Sequence, residues 1–127
     1  MVVDDNALVV ERIAGLLAEA HLQVCDRVES GLLAFARVAV SRPDVVLMDL
    51  EMPGIGGIEA IRRIKALAAP PAVIAVTLHD DAGSRAAAAA AGADAFVAKS
   101  RITADLLPAI ARLFPGRATP PGTTAVA

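Results

Sequence analysis

The sequence predicts an α/β fold in which helices cover both faces of a doubly wound, five-stranded parallel sheet. Short apolar runs alternate with longer segments of helical periodicity along the whole chain. Several of these runs are continuous rather than alternating, which is typical of strands that are buried on both faces. The regular alternation of strand and helix favours βαβ units with right-handed crossovers, and therefore a parallel sheet.

The predicted elements follow one another in a regular order. Strands are expected at residues 2–3, 23–26, 45–48, 72–76 and 95–98. Apolar residues recur at helical spacing over 9–17, 58–64 and 106–113. The run 86–91 is also predicted to be helical, because alanine has the best intrinsic helix propensity. The first strand has only three residues before Asp4, so we expect a trimmed or mis-assigned start.

Proline and glycine mark the ends of the elements. Pro53-Gly54 opens the loop after the third strand, Pro70-Pro71 closes the third helix, and Gly92 is expected to cap the fourth. Pro108 lies inside the last helical pattern, where proline removes a hydrogen bond unless it occupies the first turn. The last helix is therefore expected either to begin near Asp105 or to bend.

The composition excludes several classes of protein. Hydrophobic residues make up 56% of the 127 residues, but alanine supplies 29 of them. No apolar stretch reaches the ~18–20 residues of a membrane span. A net charge of −2 and three aromatic residues offer no basic patch or stacking platform for direct binding of nucleic acid. The absence of a signal-peptide pattern and the single Cys25 favour a cytoplasmic location.

The distribution of proline and glycine also predicts the domain boundary. We expect residues 1–114 to form one domain. Residues 115–127 are rich in Pro, Gly and Thr and are predicted to be a disordered tail or a truncated linker.

Reactive side chains follow four of the five predicted strands. Asp4 and Asp5 follow the first strand, Asp49 the third, Thr77 the fourth and Lys99 the fifth. The carboxyl ends of parallel strands lie at one edge of an open sheet, so we expect these side chains to meet in one cleft.

This set of side chains suits the chemistry of a phosphoryl group. Three neighbouring carboxylates stay ionised only beside positive charge. Oxygen ligands without His or Cys favour a hard divalent cation such as Mg²⁺ or Mn²⁺. A cation, an ammonium and a hydroxyl would together bind the oxygens of a phosphoryl group. A carboxylate among them can be the nucleophile that forms an acyl phosphate.

Each of these residues also has a simpler explanation when it is taken alone. Asp4 and Asp5 could cap the first helix. Thr77 could be an ordinary strand residue, Lys99 a surface lysine and Phe96 a core aromatic. Their shared position at strand ends favours the functional interpretation.

Four motifs resemble the receiver domain of two-component response regulators. They are Val2-Val3-Asp4-Asp5-Asn6, Asp49-Leu50-Glu51-Met52-Pro53-Gly54, Val76-Thr77 and the segment 92–99 that ends in Lys99. They occur in the family's order, and the match covers about residues 1–114. The resemblance implies a flavodoxin-like (βα)5 fold with the strand order 2-1-3-4-5.

The resemblance also implies a role for each residue of the cleft. Asp49 would accept a phosphoryl group from the phosphohistidine of a sensor histidine kinase. Asp5, Asp49 and the backbone carbonyl of Glu51 would ligate Mg²⁺ directly, and Asp4 would act mainly through a water molecule. Lys99 would pair with Asp49 and then with the phosphoryl oxygens. Such a domain is not a turnover enzyme, since it catalyses only its own phosphorylation and slow autodephosphorylation.

Further residues are implied in switching. Thr77 would move to the phosphoryl group and Phe96 would turn inward. The surface of the fourth helix, fifth strand and fifth helix would then change shape for a partner or for a homodimer. Glu51 and His79, each two positions beyond Asp49 and Thr77, would tune hydrolysis of the acyl phosphate.

One departure from the family pattern bears on the output. The family often has a proline with a cis bond after the lysine, and this chain has Ser100, which leaves the geometry of that peptide open. Lys-Ser is familiar in the NarL/FixJ-like subgroup, whose output is a LuxR-type helix-turn-helix. This implies transcription regulation through a DNA-binding domain that is absent from this chain.

Three alternatives remain open. The chain could be a stand-alone phosphorelay receiver. It could be a phosphohydrolase with an aspartyl nucleophile, although such haloacid dehalogenase-like enzymes have a second Asp where this chain has Glu51. It could also be a receiver that has lost phosphorylation and serves only as a docking scaffold.

Overall fold

The computed structural model describes residues 1–115, in which five strands alternate with five α-helices. The strands are β1 (Val2–Val3), β2 (Arg27–Val28), β3 (Val45–Asp49), β4 (Ala72–Thr77) and β5 (Ala95–Ala98). The helices are α1 (Ala7–Glu19), α2 (Gly31–Ser41), α3 (Gly56–Lys65), α4 (Ala82–Ala91) and α5 (Ile102–Leu113). Within these residues no helix has both the length and the apolar character needed to cross a bilayer. The tail predicted over 115–127 lies, from residue 116 onward, outside the described residues.

The strands form one parallel sheet in the order β2-β1-β3-β4-β5, which confirms the predicted fold and strand order. Asp49 lies opposite Val76, and Thr77 lies opposite Ala98. The carboxyl ends of β3, β4 and β5 are therefore nearly level. This register brings the residues that follow these strands to one edge of the sheet.

Alternate residues of the central strands enter two separate cores, which explains the continuous apolar runs. Val46 and Met48 pack on one face of the sheet, whereas Leu47 between them packs on the other. The first face is covered by α2, α3 and α4, and the second by α1 and α5. Since both faces are covered, every position of a central strand is apolar until the strand reaches the edge.

The predicted position of the second strand is wrong. β2 consists of Arg27 and Val28, and residues 23–26 are not part of a strand. Val2 pairs with Arg27 and Val3 with Val28, so the two residues of β1 pair with positions after the predicted run. Arg27 is exposed and forms an ion pair with Glu11 of α1, while Val28 is buried. A strand with one charged and one apolar residue leaves only a weak pattern in the sequence.

The last helix is continuous through Pro108. It begins at Ile102, so the predicted start near Asp105 is wrong. Leu106 and Ile110 on either side of the proline are buried against the sheet, and this packing keeps the helix intact despite the missing N–H. The Lys99–Ser100 peptide before it is trans, like every other peptide of residues 1–115. A 3₁₀ turn over Lys99–Arg101 connects β5 to α5.

Gly57 sets the distance between α3 and the end of β3. A Cβ at this position would lie 2.1 Å from the carbonyl oxygen of Asp49 and 2.7 Å from the Cα of Leu50. Both contacts are with backbone, which cannot move without displacing Asp49. The absence of a side chain at Gly57 therefore positions Asp49 as well as α3.

We predict that Gly57→Ala lowers the free energy of unfolding by about 3 kcal/mol or more, because the added methyl group overpacks a rigid contact. The matched control is Gly15→Ala on the exposed side of α1, where a Cβ would meet nothing within 4 Å. That change should raise the free energy of unfolding by about 0.5–1 kcal/mol, since alanine is the better helix former. Urea denaturation of both variants measures the difference, and equal effects would contradict the close approach.

Candidate functional site

Three carboxylates meet at the carboxyl edge of the sheet. Asp4 follows β1 and Asp49 ends β3, and both are buried, with 3% and 1% of their surface exposed. Asp5 is exposed beside them. Carboxylate oxygens of the three residues lie within 4.8 Å of one another. The structure thus brings together the acidic residues that are predicted to meet at the ends of the strands.

Lys99 supplies positive charge to this cluster. Its Nζ lies 2.9 Å from Asp4 Oδ2 and 3.2 Å from Asp49 Oδ1, and only 10% of its side chain is exposed. Burial lowers the pKa of Lys99, but the attraction of the two neighbouring aspartates outweighs burial and raises that pKa overall. The lysine is therefore a cation throughout the physiological pH range.

Asn6, rather than either aspartate, caps α1. Its side-chain oxygen accepts hydrogen bonds from the backbone N–H groups of Leu8 and Val9 at 3.0 and 3.3 Å. Asp4 contributes indirectly, because its Oδ1 accepts from the N–H of Asn6 at 2.8 Å. The capping explanation for Asp4 and Asp5 is thus not needed.

The carboxylates fit a hard divalent cation. Asp4 Oδ2 is buried and lies close to Lys99 Nζ, but no hydrogen bond of acceptable angle reaches it from the described residues. A buried carboxylate oxygen without a hydrogen bond is costly. The donor set consists of oxygens alone, which is the set that Mg²⁺ or Mn²⁺ prefers.

The ionised form of Asp49 is held against an electrostatic cost. Burial is the largest influence and, with the nearby negative charge of Asp4, raises the pKa of Asp49 from its ordinary 3.8 to about 6. The N–H of Glu51, which donates to Asp49 Oδ1 at 3.1 Å, and the ammonium of Lys99 oppose this increase. Asp49 is still mostly ionised at neutral pH, in an environment that favours any added positive charge.

Thr77 belongs to a second group of contacts centred on the Glu51 side chain. The Thr77 hydroxyl donates to Glu51 Oε1, and His79 Nδ1 lies 2.7 Å from the same oxygen. The backbone N–H of His79 in turn donates to Thr77 Oγ1 at 3.0 Å. Burial raises the pKa of Glu51, but the hydrogen bonds from Thr77 and His79 prevail and hold it well below its usual range. Thr77 is therefore close to the carboxylate cluster but engaged with an ionised Glu51.

Phe96 lies outside both groups. It is half-buried on β5, and the guanidinium carbon of Arg85 lies 4.5 Å above the centre of its ring. Arg85 is on α4 and donates from its Nε to Asp80 Oδ1 at 2.7 Å. Neither Arg85 nor Asp80 is predicted from the sequence. An arginine eight residues after Thr77 gives no signal of its own, because only the fold places it over an aromatic ring.

Comparisons with known proteins agree with this geometry. The family model described as "Response regulator receiver domain" matches residues 1–111. The chain is 41% identical over 104 residues to protein-glutamate methylesterase/protein-glutamine glutaminase 2 of Albidiferax ferrireducens, a match that covers 80% of this chain and 30% of that protein. It is 36% identical over 118 residues to response regulator GacA of Pseudomonas viridiflava, covering 92% of this chain and 55% of GacA.

This chain is also similar to a solved structure over nearly the whole length of both. That structure is the signal receiver domain of the response regulator NarL from Mycobacterium tuberculosis, with a TM-score of 0.83, 26% identity and coverage of 91% of this chain and 94% of that one. The two curated relatives are longer, and the chain spans at most about half of their length. The fold, the strand-end site and these matches lead to one conclusion. The chain belongs to the response regulator receiver domain family of two-component systems.

Proposed function

We propose that this chain receives a phosphoryl group on Asp49 from the phosphohistidine of a sensor histidine kinase. The observation that supports this most strongly is the buried carboxylate of Asp49, paired with Lys99 and lying within a cluster of two further carboxylates. A cluster of buried carboxylates lowers the stability of the domain, so its presence indicates a functional rather than a structural role.

The transfer follows from the residues around Asp49. One oxygen of Asp49 forms a bond to phosphorus while the bond between phosphorus and the kinase's imidazole nitrogen breaks. Lys99, already within 3.2 Å of Asp49 Oδ1, pairs with an oxygen of the incoming phosphoryl group. Asp4, Asp5, Asp49 and the backbone carbonyl of Glu51 would hold Mg²⁺ or Mn²⁺. When bound, this cation would neutralise charge on the phosphoryl oxygens.

The same phosphoryl group would act as the signal. The Thr77 hydroxyl would break its hydrogen bond to Glu51 and donate a hydrogen bond to a phosphoryl oxygen instead. Phe96 would then turn inward behind Thr77. The surface of α4, β5 and α5 would then change for a partner or a second copy of the chain. Slow autodephosphorylation, tuned by Glu51 and His79, would reset the domain without making it a turnover enzyme.

The output lies beyond the receiver. The pair Lys99-Ser100 and the similarity to a DNA-binding response regulator of the LuxR family from Staphylococcus aureus support transcription regulation, exerted by a separate DNA-binding domain rather than by direct contact of the receiver with nucleic acid. A stand-alone phosphorelay receiver is the alternative. In both cases the site faces a cytoplasmic kinase, so we propose a cytoplasmic location.

The contacts of Glu51 argue against a phosphohydrolase. A general acid two residues after the nucleophile must carry a proton at neutral pH. Hydrogen bonds from Thr77 and His79 instead keep the pKa of Glu51 low, so this carboxyl is ionised and cannot donate. A scaffold that is never phosphorylated would gain nothing from the buried charge of Asp49.

We predict that acetyl phosphate and Mg²⁺ label the parent chain with one phosphoryl group, and that Asp49→Asn abolishes the label. Asp44→Asn, at the opposite edge of the sheet, should label like the parent. Intact-mass spectrometry reads both results. Labelling of Asp49→Asn at the parent rate would refute the proposed acceptor, and turnover of a phosphate ester beyond one equivalent would favour the phosphohydrolase.

We also predict that Asp49→Asn stabilises the fold in metal-free buffer. The pKa of Asp49 in the folded state is raised to about 6. Ionisation of Asp49 therefore lowers the free energy of unfolding, and this loss is complete above pH 6. The cost disappears as the pH falls toward 4 and the folded state takes up a proton. The gain in unfolding free energy should be up to about 3 kcal/mol near pH 8 and close to zero near pH 4. Thermal or urea unfolding over this range measures it, and a gain that is independent of pH would contradict the charge argument.

A third prediction concerns the restraint on Thr77. A hydroxyl has one proton, so Thr77 cannot donate to Glu51 and to a phosphoryl group together. Glu51→Ala should therefore raise the initial rate of labelling by acetyl phosphate about two- to tenfold, the equivalent of one hydrogen bond. His79→Ala should act in the same direction but less. Glu59→Ala, which removes an exposed carboxylate paired with Arg62, is the control. Slower labelling of Glu51→Ala would show that Glu51 assists Thr77 rather than restrains it.

A further inference from the structure

The aromatic ring of Phe96 is covered by a charged group. Arg85 places its guanidinium carbon 4.5 Å above the ring centre, within the range of a cation–π contact. Phe96 is only half-buried, and its apolar neighbours belong to the core under α2, α3 and α4. The guanidinium therefore covers one face of a ring that the core buries only in part.

Arg85 itself is held in place from the loop after β4. Its Nε donates to Asp80 Oδ1 at 2.7 Å, and this hydrogen bond with its ion pair raises the pKa of Arg85. Asp105 on α5 is near enough to attract the same guanidinium, although it is paired with Arg101. Asp80 lies three residues after Thr77, so the contacts form a continuous connection from the end of β4 to the ring on β5.

We propose that Arg85 is a positioning residue that holds Phe96 in its resting position, and that Asp80 links this hold to Thr77. The inference rests on the proposed function, because it assigns a restraint to the switch that phosphorylation of Asp49 operates. When Thr77 moves toward the phosphoryl group, the loop carrying Asp80 moves with it. The guanidinium then loses its anchor, and the ring is free to turn.

A contact present in only one of two states opposes the change by its own free energy. Binding of a phosphoryl mimic favours the switched state, so its apparent affinity is its intrinsic affinity multiplied by the fraction of the chain that is already in the switched state. A half-exposed cation–π contact is equivalent to about a two- to fivefold effect on such an equilibrium. This is the size of effect that loss of Arg85 should remove.

The test is titration of the full chain with beryllium fluoride in the presence of Mg²⁺, followed by NMR. Arg85→Gln should bind the mimic about two- to fivefold more tightly than the parent. The matched control is Arg62→Gln, which breaks an ion pair with Glu59 of similar exposure but covers no aromatic ring. It should bind like the parent.

The Arg85→Gln substitution in a Phe96→Leu variant distinguishes the effect of the ring contact from the effect of the ion pair with Asp80. Phe96→Leu keeps apolar packing but removes the π face, so adding Arg85→Gln to it should have no further effect on affinity. Thermal unfolding confirms that each variant is folded. Unchanged or weaker binding by Arg85→Gln, or the same gain with leucine at position 96, would overturn the proposal. If the parent itself fails to bind the mimic, the proposed function fails instead.

Discussion

Lys99 reaches from the end of β5 to Asp4 and Asp49, which follow β1 and β3, and the arrangement of the site depends on this ammonium. Without it, two buried aspartates and the adjacent Asp5 would share one edge of the sheet with no counter-charge among their described contacts. Removing one partner of a buried charge pair leaves the other uncompensated, which is more costly than the pair is worth. The lysine therefore sets the resting state, in which Asp49 is ionised but not fully neutralised.

The rest of the fold offsets the cost of leaving the charge of Asp49 only partly neutralised. Two apolar cores, one on each face of the sheet, provide the stability that the charged edge reduces. Gly57 lets α3 approach the backbone of Asp49 directly, which fixes the position of the backbone that carries this carboxylate. A domain built in this way responds to any group that changes the charge at Asp49, because the change alters the free energy of the whole edge.

The sequence predicted those parts of the molecule that depend on patterns within a strand or on its end. Continuous apolar runs identified β3, β4 and β5, and the topology of a parallel sheet placed Asp4, Asp49, Thr77 and Lys99 at one edge. β2 could not be located, because two residues with one exposed arginine carry too little periodicity. The start of α5 could not be predicted either. Proline is unfavourable inside a helix, but packing of the residues around Pro108 outweighs that cost.

The contacts between side chains were the least predictable part. Glu51 and His79 were placed beside the cleft from their spacing alone, but their joint hold on the hydroxyl of Thr77 depends on the loops after β3 and β4. Arg85 and Asp80 carry no pattern that distinguishes them from other surface charges. These contacts join residues on different elements, so only the three-dimensional structure shows them.

The two restraints in the proposed switch have similar strength for a physical reason. Glu51 engages Thr77 through a hydrogen bond to a charged group, and Arg85 engages Phe96 through a half-exposed cation–π contact. Both contacts are partly exposed to water, so each adds only a small free energy to the resting state. A ligand moves an equilibrium only by its differential affinity for the two states, so stronger restraints would leave the domain at rest even when Asp49 is phosphorylated. Weaker ones would let it switch without a signal. Two modest restraints at the ends of neighbouring strands hold the resting state within reach of the few charge-assisted hydrogen bonds that one phosphoryl group can add.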